Sequence, residues 1–129
     1  MEGSTCIKIF NEAIIDYHKN DNVDGNINNP YGATSFEGLL YKKNWIDTVQ
    51  WHLEDIIRDP EINDHDGIKI KRRIDKSNQE RTDLVEKIDD WYNLKFQEIK
   101  AKPSARLNTE SVAWVIDRIS ILCLKIYHM

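Results

Sequence analysis

Four carboxylates and two arginines are the residues of this chain whose types and spacing could do chemistry. Glu54 and Asp55 are neighbours, and Glu86 and Asp89 stand about one helical turn apart. On facing helices these pairs would hold Mg²⁺. Arg81, Arg118 or the basic run Lys69, Lys71, Arg72 and Arg73 would then take phosphate oxygens. The chemistry would be hydrolysis of a nucleotide or phosphate ester. The same residues have a quieter reading, which the sequence favours. Arg81 would pair with Asp117 or Asp89 between helices and fix their register. His52, on an apolar helical face, would be a core histidine bonded to a neighbour. Together His52, Asn78, Arg81, Asp89, Asp117 and Arg118 would line a polar pocket between helices. The protein would then be a binding or interaction module. No cofactor is expected on that reading, Mg²⁺ entering only with the hydrolase, and a small anionic ligand suits the basic residues.

Other chemistries lack their markers. The chain shows no Ser-His-Asp, Cys-His, P-loop or G-x-G-x-x-G arrangement. Asn20, Asn22, Asp24 and Gly25 have the spacing of a calcium loop, but its last ligand position falls on Tyr31, which has no carboxylate. An Asn/Gly turn is the simpler reading. His65 between Asp64 and Asp66 reads as a solvated loop histidine.

The elements that must position these residues are helices. Trp45, Ile46, Val49, Leu53, Ile56 and Ile57 recur at three- and four-residue steps, with His52 on the same face. Pro60 stops that helix. Trp51 falls on the opposite, charged face, a large ring that another helix or another chain must cover. Ahead of it, Cys6, Phe10, Ala13, Ile14 and Tyr17 stripe a first helix ending near Lys19, and a segment from Ser35 runs into the Trp45 helix or bends at Lys43-Asn44. Residues 68–101 read as one long helix, broken as a stripe where Ser77, Asn78 and Arg81 replace the apolar residues that are due. Buried polar groups need partners, so this gap predicts polar side chains facing it. Asn108 or Thr109 caps a last helix that is apolar nearly all round, with Asp117 and Arg118 in its middle.

The expected architecture is therefore all-α, an up-and-down bundle of four to five helices with one long central helix. It forms a single domain over residues 1–129, with a polar loop at 20–35, an acidic loop at 61–67 and a linker at 102–108. Hydrophobic residues make up 40% and charged residues 31%, a balance suited to one folded helical core rather than to disorder. The net charge of −4 argues against nucleic acid as a partner. No stretch approaches the ~20 apolar residues of a membrane span, and no secretory signal opens the chain, so a cytoplasmic protein is expected. Cys6 and Cys123 read as two buried thiols rather than a disulfide. Trp51 and Trp114 suggest a self-complementary interface, hence a homodimer.

Several strings have a familiar look. Asp16-Tyr17-His18-Lys19, Asn28-Asn29-Pro30-Tyr31, and residues 40–60, 71–89 and 108–129 resemble the bacterial family called domain of unknown function 4254. The resemblance implies an all-helical fold and assigns no catalytic residues. Family members look longer, so the chain resembles a truncated copy. A weaker similarity links Glu86-Lys87-Ile88-Asp89 to the all-helical nucleoside-triphosphate pyrophosphatases. Glu54-Asp55 lacks that family's further Glu a turn later and has Arg58 there.

Overall fold

A computed structural model describes residues 3–95 and 112–129, and over these residues the chain is four helices with no strand. They are α1 (Gly3–Asn20), α2 (Phe36–Ile57), α3 (Asp64–Lys95) and α4 (Val112–Tyr127). Cys6, Phe10, Ala13, Ile14 and Tyr17 are all buried, as their spacing predicts, and Ile9 joins them. The segment from Ser35 and the Trp45 helix are continuous. The Ser35 hydroxyl accepts from the Gly38 amide at 3.0 Å and caps α2. The helix ends at Ile57, two residues short of Asp59-Pro60.

Expectation and structure part at the acidic segment 61–67. From Asp64 onward it is the first turn of α3 rather than loop. Asn63 caps the turn: its side-chain oxygen accepts from the Asp66 amide at 2.8 Å, while its amide group donates to the Asp66 carboxylate at 2.8 Å. Asp64 and Asp66 also complement the positive end of the helix. The expected linker at 102–108, and Phe96 and Ile99 of the long stripe, lie outside the described residues.

The polar segment 20–35 is held down. Asp21, at φ 47°, takes the left-handed conformation that closes α1, with its amide on the Tyr17 carbonyl at 3.0 Å. Asn22 turns the chain by accepting from the Asp24 amide. Asp24 pairs with Arg73 at 2.8 Å, Tyr31 donates to Glu12 at 2.7 Å, and Asn29 donates to the Gly38 carbonyl at 3.0 Å. Gly38 is needed here, because a Cβ would stand 1.9 Å from the Gly32 carbonyl oxygen.

The direction of the helices follows from which residues meet. Phe36 stacks on Trp91 while Gln50 reaches Asn78, so α2 and α3 are antiparallel. Asn44 meets Ser120 and Trp51 meets His128, so α4 runs with α2. Up-and-down alternation thus holds for α2, α3 and α4. It fails at α1, which runs parallel to α2: Asp16 meets Tyr41, Tyr17 meets Trp45 and His18 meets His52. Residues 20–35 carry the chain back to the start of α2, a return too long for an ordinary up-and-down turn. Although α3 is the longest helix, α2 and α4 are the ones packed against all three others, and α2 packs the more extensively. This is why Lys43, Asn44, Asp47 and Thr48 are buried beside Leu40, Tyr41 and Leu53.

Helix α4 is less enclosed than its composition predicts. Ala113, Ile116, Asp117, Ser120, Cys123 and Leu124 are buried, but Val112, Val115, Leu122 and Ile126 are 42–60% exposed. Cys6 and Cys123 are both buried. No described helix is long and apolar enough to cross a membrane.

Candidate functional site

Polar side chains gather in three places, and α2 contributes to each. The first is a buried ion cluster at the gap in the α3 stripe. Arg81 donates through Nε to Asp47 at 2.7 Å and through Nη2 to Asp117 at 3.0 Å. Lys43, fully buried, donates to Asp47 and, at 2.6 Å, to Asp117. Two cations thus face two anions. Ser120 donates to Asp47 at 2.7 Å and accepts from Asn44 at 2.9 Å, and Thr48 donates to the Asn44 carbonyl. Burial by itself would raise the Asp117 carboxyl, but Lys43 and then Arg81 outweigh it and hold the group below its ordinary range. Burial would likewise lower Arg81, and Asp47 and Asp117 reverse that, so its guanidinium stays charged. The charges compensate one another within the cluster, which serves to lock α2, α3 and α4 in register.

Arg81 therefore meets Asp117, one of its two expected partners, and Asp47, which was not among them. Asp89 is only half-buried, Asn78 is exposed but accepts from Gln50 at 2.8 Å, and Arg118 is exposed. Lys43, Asp47, Asn44 and Ser120 were missed. Their one signal was the four-residue step from Lys43 to Asp47, and from Asn44 to Thr48, inside a helix already striped by apolar residues on its other side. A cavity of about 310 Å³ opens over the cluster, lined by Gln50, Trp51, Glu54, Arg81, Ile121 and Lys125 with Asp47. Of the carboxylates considered for Mg²⁺, Glu54 lines this cavity, while Asp55 and Glu86 are exposed. Among the described residues these carboxylates form no group of three possible metal ligands.

The second place is a cavity of about 390 Å³ between residues 23–27, α2 and α3. Its apolar wall is Trp45, Ile46, Val49 and Leu53, the stripe of the Trp45 helix. Lys42, Arg73, Lys76 and one carboxylate, Glu80, also line it. Arg73 is held there by Asp24 and by the Val23 carbonyl at 3.2 Å. Ser77 lines it too, and its hydroxyl is buried without a hydrogen-bond partner. Such an orphan is uncommon in a native interior.

The third place is where α1, α2 and the end of α4 meet. His52 Nε2 stands 3.1 Å from His18 Nε2, and His128 packs against both rings. His18 directs Nδ1 at the Ile14 carbonyl, 2.7 Å away. Tyr17 stacks on His52, and Trp51 lies nearly parallel to His128 with ring centres 4.9 Å apart. The large ring that needed a cover is thus covered from within the chain. Burial pushes His52 and His128 below the ordinary histidine range; His18 adds to both, and nearby Asp21 and Asp55 oppose. The sequence reading took His52 alone. His18 and His128 were legible only as residues near helix ends, and nothing in their spacing brings those ends together.

A family model described as a protein of unknown function (DUF4254) matches residues 37–129. No curated protein and no solved structure matches the chain.

Proposed function

Because this chain belongs to the DUF4254 family of proteins of unknown function, its activity has to be read from its own residues, and we propose that it is a small-ligand binding module. The ligand is an anion with an apolar body, and its site is the cavity between residues 23–27, α2 and α3. One observation carries the reading: an apolar wall, a rim with three cations and a buried unpartnered hydroxyl line a single cavity. Its volume of about 390 Å³ lies in the range of small-molecule sites, which pair apolar walls with a few placed polar groups. The ion cluster around Arg81 supports the module differently. Its charges are already spent on one another, so it holds α2 and α3 rigid beside the cavity.

Anilinonaphthalene sulfonate, a flat apolar anion, is a suitable probe. It is expected to bind saturably with one site per chain. Lys76→Ala is expected to weaken binding about tenfold, the loss of one charge-assisted contact, and Val49→Trp to abolish it by filling the wall. Affinity unchanged in both variants would overturn the reading. The hydrolase alternative draws no support from the positions of Glu54, Asp55, Glu86 and Asp89.

A second copy of the chain is the partner proposed for the open stripe of α4. Val112, Val115, Leu122 and Ile126 present a larger apolar face than Trp51, which His128 covers. Sedimentation is expected to show a dimer that Leu122→Glu disperses. A monomer before substitution would end that proposal.

A further inference from the structure

We propose that His18, His52 and His128 form a binding site for a divalent transition metal, zinc being the best fit. The inference is independent of the ligand cavity. One ring nitrogen from each histidine lies within 4.8 Å of the others, and among the described residues no other three potential ligands gather in this way. Two nitrogens at zinc-bond length from one tetrahedral ion stand about 3.3 Å apart. The Nε2 atoms of His18 and His52 are 3.1 Å apart, so that pair needs only a few tenths of an ångström of spreading to take the ion.

The tautomer of His18 is arranged for it. The 2.7 Å contact between His18 Nδ1 and the Ile14 carbonyl places the proton on Nδ1 and leaves the Nε2 lone pair to accept from His52 Nε2–H, a proton that the ion would displace. A ligating histidine ordinarily donates its second N–H to just such an acceptor. The other two rings are set by packing, His52 on Tyr17 at an interplanar angle of 13° and His128 on Trp51 at 6°.

A second observation points the same way. Tyr17, stacked on His52, carries a buried hydroxyl that has no hydrogen-bond partner. Tyr17, His52, Asp21 and Asp55 all line one cleft. Asp21 supplies a carboxylate oxygen 3.8 Å from His52 Nε2 and is held in place by the left-handed turn closing α1. Three neutral imidazoles leave the full charge of a divalent ion uncompensated. The Asp21 carboxylate, directly or through a water, is the group placed to balance it and to complete four-coordination.

Zinc titration of the tag-free full chain by calorimetry at neutral pH tests the site. One zinc per chain is expected, together with a rise in melting temperature. Cobalt is expected to bind competitively with zinc and to give the intense visible absorption of a four-coordinate ion. His52→Ala and His128→Ala are each expected to weaken zinc by at least about tenfold. Asp21→Asn should weaken it less, and His65→Ala, at an exposed residue outside the cluster, should leave it unchanged. His128 is exposed, so its variant tests the site even if His52→Ala fails to fold. Absence of one-to-one zinc binding, or affinity unchanged in His128→Ala, would overturn the proposal.

Discussion

The ion cluster around Asp47 and the histidine cluster around His52 are built on the same helix by opposite rules. In the first, two cations meet two anions, and the Ser120 hydroxyl donates to Asp47 while accepting from the Asn44 amide. In the second, three groups of one kind face one another, and two ring nitrogens meet head to head. A cluster whose charges pair with one another has less to offer a ligand. An unsaturated one is where a ligand belongs. The number of polar groups in a region therefore says little about function. Whether they satisfy each other says more.

The widest separation between the two regions should appear in stability. Lys43→Met leaves two inward carboxylates with one cation between them, and breaking a buried pair in this way costs about 3–5 kcal/mol. His128→Ala removes an exposed ring and is expected to change unfolding free energy by less than about 1 kcal/mol in the absence of metal. Chemical denaturation of both variants checks the contrast. A cost below about 1 kcal/mol for Lys43→Met would mean that the cluster is not closed.

Acid sharpens the same comparison. The Asp117 carboxyl is held below its ordinary value of 3.8 in the folded chain. A depressed group contributes stability that is fully present above its unfolded pKa and is lost as pH falls through the folded one. The melting temperature should therefore fall as pH drops below about 4. The fall should be shallower in Lys43→Met, which removes the nearer of the partners that depress Asp117. Equal acid slopes in the two proteins would show that the cluster does not set the acid limit.

The sequence carried the fold further than the site. Apolar steps of three and four residues marked all four helices, and Asp59-Pro60 marked the end of α2 within two residues. The gap at Ser77, Asn78 and Arg81 announced polar partners, which Arg81 and Asn78 have and Ser77 lacks. Asp117 could be named as a partner of Arg81, but Asp47 could not, because periodicity describes one helix at a time. Lys43 and Asp47 look like an ordinary solvated four-residue pair until α4 is laid over them. The return of the chain through residues 20–35 is likewise a three-dimensional fact, and it alone brings His18 beside His52. Asn63 shows a smaller failure. A Gly-ending acidic run looks like a loop, yet one side chain capping the Asp66 amide turns its last four residues into helix.

The smallest effect comes from two serines that differ only in their surroundings. Ser120 donates to Asp47 and accepts from Asn44 inside the closed cluster. Ser77 is 7% exposed, and its hydroxyl bonds to nothing. Replacing Ser120 by Ala strips a hydrogen bond from a buried carboxylate and is expected to cost about 1–2 kcal/mol. Replacing Ser77 by Ala removes a hydroxyl that already carries its desolvation penalty without a bond, so stability should stay within about 0.5 kcal/mol or rise slightly. The order reverses for the anionic probe, whose affinity should fall in Ser77→Ala and hold in Ser120→Ala. Equal stability costs for the two serines would mean that Ser77 has a partner in solution, and the cavity would lose its unpartnered buried hydroxyl.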